Sequence, residues 1–379
     1  MVFGILGAIL VLLAAAGFIG WRVLGRHFVN QYHREACNPT DLSPHLGSSS
    51  PAEYHVSDVP WIATREWYCA ANSLAMVAAQ HGVRASTARC SFLMGFTYGA
   101  SAVPGSIAVH FFGEPEAGLA AAAPYMGLKR RCYVTDDAAL YLAALRSHLS
   151  GGDAVRVGLD VAVLYNLEAP SPHSEVLVGY DELGFFYYET VCLPEAPCQP
   201  SQLPPGQKGL WLSSQTVLDA VLGQAKMFSY PWRYSLTVFD EGPQETDLAP
   251  VWARNGNQLV GGARYGPPQG ADAIEGLATV FDRRGTKVDV AEVLPTLEAA
   301  AYTRRNNAAY LREAFPGRGD IERAAQLFTG AADHYEAALE SVDDGIGDEA
   351  EAEEVAAALQ EAAAAEREVG ELFLSLGRL

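Results

Sequence analysis

The run Cys69-Ala-Ala-Asn-Ser-Leu-Ala-Met-Val-Ala-Ala-Gln-His-Gly82 places a cysteine directly before a helical pattern. Leu74 and Val77 fall on one side of a helix predicted over residues 72–80, and Gly82 is a typical stop signal. Cys69 is therefore expected at or near the first turn of that helix. The N–H groups and the macrodipole of a helix N-terminus favour the thiolate, which is the nucleophilic form of cysteine.

A second run, His173-Ser-Glu-Val-Leu-Val-Gly-Tyr-Asp181, opens with a histidine and continues as a β-favouring segment. Phe185–Tyr188 favours β structure as well, and the turn between the two ends in Gly184, where a positive φ costs little. These features predict a β-hairpin that is flanked by His173 and Glu189.

Together, Cys69, His173 and Glu189 match the needs of acyl chemistry through a thiol. Such a site uses a nucleophile, a base beside it and a group that orients the base. His173 is predicted as the base, and Glu189 as the carboxylate that accepts a hydrogen bond from the imidazole and fixes its tautomer. Ideal pairing around a four-residue turn would put positions 173 and 189 on opposite faces, so the assignment requires a bulge or a three-residue turn.

The composition of the 379 residues indicates a folded protein, because 49% of them are hydrophobic and 10% are aromatic. This is enough to bury at least one sizeable core. The 45 acidic residues against 26 basic ones give a net charge of -19. Such a charge repels phosphate backbones and leaves no basic stripe, so we expect no nucleic-acid partner.

Residues 2–21 are uncharged and nearly all apolar, and a helix of this length crosses about 30 Å of hydrocarbon. The pattern predicts a transmembrane anchor over residues 1–21. A cleaved signal peptide is the alternative, but a positively charged region ahead of the apolar run is missing. Because Arg22, Arg26 and Arg34 follow the anchor, the positive-inside rule predicts a single-pass membrane protein with a cytoplasmic body.

Periodicity along the rest of the chain predicts an α+β part followed by a helical bundle. The α+β part is predicted to contain helices over Asp136–Leu149 and Ser214–Ala225 and a strand over Ala154–Ala162. The bundle helices are predicted over Leu294–Phe315, Asp320–Val342 and Glu349–Leu376.

The six cysteines leave the redox state open, because their spacing agrees with three disulfides in an oxidising compartment or with none in the cytosol. His27, His33 and Cys37 have loose metal-ligand spacing but no fourth ligand nearby, so no metal site is predicted. The sequence also lacks a phosphate-cradling glycine loop that ends in Lys-Ser or Lys-Thr, and no cofactor is predicted.

The residues around the candidate site carry a family resemblance. Val59-Pro60-Trp-Ile, Tyr68-Cys69 at the head of a helix, His173 followed by Gly179-Tyr180, and an acidic residue sixteen positions after the histidine resemble papain-fold thiol enzymes. Among these enzymes, the residues resemble especially the peptidases that trim double-glycine leaders from bacteriocins. Papain-like enzymes place Asn or Asp where Glu189 stands. The resemblance implies a papain-like fold with Cys69, His173 and Glu189 as catalytic residues.

Other stretches are more similar to the N-terminal domain of the butirosin-biosynthesis acyltransferase family. They run from Gly95-Phe-Thr-Tyr-Gly-Ala through Thr135-Asp-Asp to Val157-Gly-Leu-Asp-Val-Ala-Val-Leu-Tyr165. That family commonly carries a helical partner domain, and Arg304-Arg-Asn-Asn-Ala-Ala-Tyr-Leu-Arg-Glu-Ala314 is similar to a motif of the partner. The resemblance spans residues 54–376.

Two departures from the papain pattern bear on activity. Ala63 stands six residues before Cys69, where the family has a glutamine that donates to the oxyanion, and Ala70 stands where glycine is usual. Losing one oxyanion donor costs about 10² to 10³ in rate, which harms a peptidase attacking an unactivated amide more than a transferase receiving a reactive thioester. Residues 64–66 are possible substitutes, and the departures favour acyl transfer.

The sequence therefore predicts a membrane-anchored papain-like thiol enzyme that forms an acyl-Cys69 intermediate. Acyl transfer is favoured over the related cleavage of amide or peptide bonds, and the substrate is predicted to be an acyl carrier or a peptide. A leader-type cysteine peptidase and a catalytically inactive papain-like module that binds a peptide or carrier protein are the alternatives. The predicted domains are a transmembrane anchor (1–21), a linker (22–53), a papain-like thiol enzyme domain (54–240), an irregular linker (241–270) and a helical domain (271–379).

Overall fold

The computed structural model combines a β-sheet with helices and ends in a helical region. It describes residues 30–31, 33–42, 50–64, 68–95, 101–102, 109–110, 115–192, 197–261, 269–342 and 345–378. The predicted α+β class and the predicted C-terminal helical region are confirmed.

The strands of the described residues are short at the edges and longer in the middle of the sheet. They are β1 (Thr40–Asp41), β2 (Tyr54–His55), β3 (Ser101–Ala102), β4 (Val109–His110), β5 (Leu128–Thr135), β6 (Val155–Asp160), β7 (Pro172–Tyr180), β8 (Gly184–Tyr188), β9 (Leu210–Ser213) and β10 (Tyr234–Glu241).

The helices from residue 69 onward lengthen toward the C-terminus. They are α1 (Cys69–Gln80), α2 (Thr87–Met94), α3 (Pro115–Ala122), α4 (Ala138–Ser150), α5 (Val161–Tyr165), α6 (Ser214–Met227), α7 (Ala249–Val260), α8 (Ala271–Arg284), α9 (Val290–Ala314), α10 (Gly319–Val342) and α11 (Glu349–Leu376).

The main sheet has β7 in its interior. Its strand order is β1-β5-β10-β6-β7-β8-β9, with β2 also paired to β7. The pairs of β7 with β6, β8 and β2 are antiparallel, whereas β1 and β5 are parallel. Every residue of β6 and all but the first of β7 are buried, so both faces of these strands are covered. The strand that contains His173 is thus a central one.

The described residues cluster into two compact units, each made of separate segments of the chain. The first unit is bounded by Met1–Ser57, Arg131–Tyr188 and Pro204–Val238. The second is bounded by Asp58–Arg130, Glu189–Leu203 and Phe239–Leu379. The predicted domains were continuous ranges. In the structure, α1 and the C-terminal helices belong to the same unit.

The predicted linkers differ from the structure. The range 22–53 contains β1, which pairs with β5. The range 241–270 contains α7, because Pro250 lies in the first turn, where a missing N–H costs nothing, and Gly261 ends the helix at φ 89°. The glycine and proline signals there mark the ends of a helix rather than an irregular segment.

The helical region is held together by buried apolar faces and by a buried ion pair. Helix α11 buries Val355, Leu359 and Phe373 on one side, as its helical periodicity predicts. Arg304 of α9 and Glu366 of α11 are fully buried, and the guanidinium donates two hydrogen bonds of 2.7 Å to the carboxylate. A buried charge needs such a partner, so this pair fixes how α9 lies against α11.

Four of the six cysteines form disulfides, Cys37–Cys132 and Cys192–Cys198. The structure thus decides a number that the cysteine spacing leaves open, namely two disulfides. Because the sulfur of Cys37 is bonded to Cys132, the spacing of His27, His33 and Cys37 does not supply a metal-binding thiolate. Disulfides are typical of proteins that fold in oxidising compartments.

The predicted transmembrane helix and the predicted single-pass location with a cytoplasmic body are corrected. In the described part of the chain, no helix has both the length and the apolar character needed to cross a membrane. The predicted anchor at residues 1–21 lies outside the described residues.

Candidate functional site

Cys69 is the first residue of α1, as the sequence predicts. The cysteine is half-buried, whereas Ala70 and the following residues through Ala78 are buried. Tyr68 precedes the helix without a side-chain cap, and the first turn holds no acidic residue. The positive end of the macrodipole therefore lies at a first turn without a side-chain cap or an acidic residue of its own, and this arrangement favours the thiolate.

The other cysteine outside the disulfides, Cys90, lies in α2 and is fully buried. Burial raises the pKa of its thiol to about 12. A thiol with such a pKa stays protonated at neutral pH and is a poor nucleophile. Of these two cysteines, Cys69 therefore has the setting of a reactive thiol.

Asn72 anchors the beginning of α1 by using its whole side-chain amide. Its Nδ2 donates to Thr64 Oγ1 at 2.9 Å and to the carbonyl of Thr190 at 2.7 Å. Its Oδ1 accepts a hydrogen bond of 2.6 Å from the hydroxyl of Thr87. Because Asn72 is fully buried, these contacts connect the helix carrying Cys69 to three separate segments of the chain.

Replacing Asn72 by alanine is expected to lower the free energy of unfolding by about 2 to 3 kcal/mol, because several polar groups lose their partners without access to water. Asn257→Ala is a matched control, since Asn257 lies exposed on α7 and its side chain has no hydrogen bond within the described residues. Urea unfolding monitored by circular dichroism measures both. Equal midpoints for the two variants would contradict the anchoring role of Asn72.

The position of the missing oxyanion glutamine is occupied by half-buried Ala63. The next residue, Thr64, bridges to Val191, and its hydroxyl accepts the hydrogen bond from Asn72. Of the possible substitutes for the glutamine, the Thr64 side chain thus has a structural partner, and residues 65–66 lie outside the described residues.

His173 is the second residue of β7 and is 7% exposed. Its Nε2 lies 2.8 Å from Oε1 of Glu175, whose side chain is fully buried. Residues i and i+2 of a strand share a face, which explains why the two side chains meet. A carboxyl group beside one ring nitrogen is placed to orient the imidazole.

Glu175 is a residue that the sequence reasoning missed. The signal was present, since His173-Ser-Glu175 places two ionisable groups two residues apart in a segment that otherwise favours burial. A buried carboxylate requires a partner, and the nearest candidate on the same strand face is His173.

The hairpin contains the bulge on which the assignment of Glu189 depends. Gly179 pairs with Phe186 but Leu177 pairs with Tyr187, so β7 has one extra residue between these pairs. A bulge changes the parity of every offset that crosses it. The bulge that an offset of sixteen residues between His173 and Glu189 requires is therefore present.

Glu189 follows directly after β8 and is fully buried. Its Oε1 accepts hydrogen bonds from the backbone N–H groups of Thr190 at 3.0 Å and Val191 at 3.1 Å. These bonds hold the start of the segment that continues to the Cys192–Cys198 disulfide. Its predicted role in orienting His173 stays a prediction.

Neither a family model nor a curated protein matches this chain. The likeness to papain-fold thiol enzymes and to the butirosin-biosynthesis acyltransferase family therefore rests on the residues quoted above, and it stays a prediction.

Two groups of side chains in the first unit include metal-ligand types. His173 and Glu175 are ligand types that zinc accepts. Cys37 and Cys132 are bonded to one another and cannot act as thiolate ligands. We assign no metal to either set.

A cavity of 470 Å³ lies in the second unit, between the residues of α2, the segment 244–248 and the end of α9. Its volume is within the range of small-molecule sites. Phe92, Tyr310 and Phe315 contribute aromatic walls, and Arg89 contributes a cation. Cys69 does not line this cavity, so it is not assigned to the chemistry of the thiol.

Proposed function

We propose that the protein is a cysteine-dependent acyltransferase with a papain-like site, in which Cys69 is acylated and His173 is the base. The observation that supports this most is the setting of Cys69, a half-buried thiol at an uncapped helix N-terminus. The contrast with Cys90, which burial keeps protonated, adds to it. The pairing of Cys69 with His173 is part of the proposal.

In the proposed reaction, the Cys69 thiolate attacks the carbonyl carbon of an acyl thioester, and the carbon–sulfur bond to the carrier breaks. The carrier thiol leaves with a proton from the His173 imidazolium. An amine then attacks acyl-Cys69, His173 accepts the amine proton, and the amide product leaves the thiolate behind. The carboxyl group of Glu175 lies 2.8 Å from Nε2 of His173 and is proposed to orient the ring for both proton transfers.

Ala63 favours acyl transfer over the cleavage of peptide bonds. An unactivated amide needs strong stabilisation of its tetrahedral oxyanion, and the absence of one side-chain donor costs about 10² to 10³ in rate. A thioester is already reactive and depends less on that donor. A leader-type peptidase, in which water accepts the acyl group, is therefore the second candidate.

The same residue supports a candidate from another class, a catalytically inactive papain-like module that binds a peptide or a carrier protein. In that case Cys69 would not be acylated. Binding of the carrier or peptide would then persist unchanged in Cys69→Ser.

Intact-mass spectrometry of the full-length chain with an acyl N-acetylcysteamine thioester tests the proposal. We expect one acyl adduct on the wild-type protein, its release on addition of a primary amine, and no adduct on Cys69→Ala. Cys90→Ser is the matched control and is expected to form the adduct like the wild type, because Cys90 is buried.

Each other outcome of this experiment is informative. An adduct that survives Cys69→Ala, or none on the wild type, contradicts the proposal. Release by water alone, at a rate that amines do not change, would favour the peptidase.

A further inference from the structure

Tyr68, the residue before Cys69, is tied into the first turn of α1 by its backbone. Its carbonyl accepts the hydrogen bond from the N–H of Asn72 at 2.8 Å, which is the first hydrogen bond of the helix. Any movement of Tyr68 therefore changes the direction of the first turn, and with it the N–H groups that surround the thiol.

The side chain of Tyr68 is held by α9 of the C-terminal helical region. Tyr68 is 6% exposed. Its ring meets that of Tyr302 edge-to-face, with 6.0 Å between the centroids, and its hydroxyl accepts a hydrogen bond of 3.4 Å from Nδ2 of Asn306. Tyr302 and Asn306 are four residues apart, so they lie on one face of α9, and both side chains contact the phenol of Tyr68.

Helix α9 is itself held by the buried ion pair. Arg304, between the two contact residues in sequence, donates to Glu366, which also accepts a hydrogen bond of 2.8 Å from the hydroxyl of Tyr335. The charge of Arg304 acts on the Tyr68 phenol as well, although burial dominates and raises the pKa of Tyr68. The phenol therefore remains neutral and can both donate and accept hydrogen bonds.

We infer that Tyr68 and Asn306 are positioning residues, through which helix α9 aligns the first turn of α1 with the Cys69 thiol. This inference deepens the proposed function and rests on it, because it assigns the C-terminal helical region a part in setting the reactivity of the nucleophile. Without these contacts to Tyr68, the N–H groups of the first turn of α1 lose their alignment. The partial positive charge of the helix N-terminus is then less concentrated at Cys69, so the thiolate is less favoured.

The rate of Cys69 alkylation by iodoacetamide as a function of pH tests the inference on the full-length chain. We expect Tyr68→Phe and Asn306→Ala to shift the midpoint of the profile upward by about 0.5 to 1 pH unit, because the thiolate is less favoured. Asn306→Gln, which keeps the amide, is expected to restore part of the shift. Intact-mass spectrometry follows the modification.

Two matched controls separate positioning from a general loss of stability. Tyr310→Phe removes a hydroxyl from the same helix, and Asn257→Ala removes an exposed amide from α7. Both are expected to keep the wild-type midpoint. If Tyr68→Phe and Asn306→Ala stay within about 0.2 pH unit of the wild type, the inference is overturned.

Alkylation needs no acyl donor, so the two proposals can fail separately. A shifted midpoint without an acyl adduct would leave the positioning intact and reject the acyltransferase. An acyl adduct with unshifted midpoints would support the acyltransferase and reject the positioning role of Tyr68 and Asn306.

Discussion

His173→Ala is expected to lower kcat/KM for acyl transfer by about 10² to 10⁴, which is the range that general acid–base catalysis by one residue supplies. The proposed mechanism asks the imidazole to protonate the leaving carrier and then to accept the amine proton. Alanine can do neither. Steady-state rates with a thioester donor and an amine acceptor measure the loss, and a value within threefold of the wild type would contradict the role of His173.

Glu175→Gln tests whether the side chain of Glu175 contributes to the proposed catalytic role of His173. The change replaces the carboxyl group 2.8 Å from Nε2 by an amide and keeps the shape of the side chain. We expect about a 10- to 100-fold loss in kcat, because the imidazole loses its neighbouring carboxyl group and the orientation of the ring is less defined. The KM for the donor should change little.

Glu182→Gln is the matched control, since Glu182 lies exposed in the turn between β7 and β8. It carries the same chemical change in the same hairpin and is expected to have wild-type activity. Measuring Glu189→Gln beside it tests the predicted orienting role of Glu189. If Glu175→Gln behaves like Glu182→Gln, the carboxylate at 175 does not support the base.

The largest expected effect on stability comes from the Cys37–Cys132 disulfide. This bond joins residues 95 positions apart, and by chain entropy alone closing such a loop contributes about 4 to 5 kcal/mol. The Cys37→Ser/Cys132→Ser protein is therefore expected to unfold at a much lower urea concentration. The pair also packs against Trp232 in a small buried cluster, so its loss leaves a poorly filled site.

Cys192→Ser/Cys198→Ser is the control for the disulfide. Its cysteines are only 6 positions apart, and closing so short a loop contributes about 2 kcal/mol in the same treatment. Urea unfolding of both double variants, without reductant, gives the comparison. Equal losses would show that loop entropy does not control the contribution of the longer bridge.

Much of the local structure around the site could be predicted because the relevant signals are short-range. The apolar spacing of Leu74 and Val77 and the stop at Gly82 predict a helix with Cys69 at its beginning, and α1 starts there. The strand around His173 follows in the same way from its β-favouring run. Backbone geometry and side-chain periodicity act over a few residues, so one sequence is enough to read them.

Several features were out of reach of pattern analysis. The range 241–270 was predicted as an irregular linker because of its glycines and prolines, yet Pro250 and Gly261 are compatible with the two ends of a helix. The disulfide pairing could not be chosen from the spacing of six cysteines. The sequence did not show which carboxylate lies next to His173, because this depends on which face of β7 each side chain takes. It also did not show the bulge near Gly179, which changes whether positions 173 and 189 fall on the same face of the hairpin.

The sequence alone determined the α+β class, the helical C-terminal region, and the placement of Cys69 at a helix start and His173 at a strand start. Only the tertiary structure decided that Asn306 reaches Tyr68, that Arg304 pairs with Glu366, and that Cys37 bonds Cys132. The physical reason is the distance along the chain. Helices and strands form from contacts between near neighbours, whereas these contacts join residues tens to hundreds of positions apart, and their formation depends on how all the elements pack.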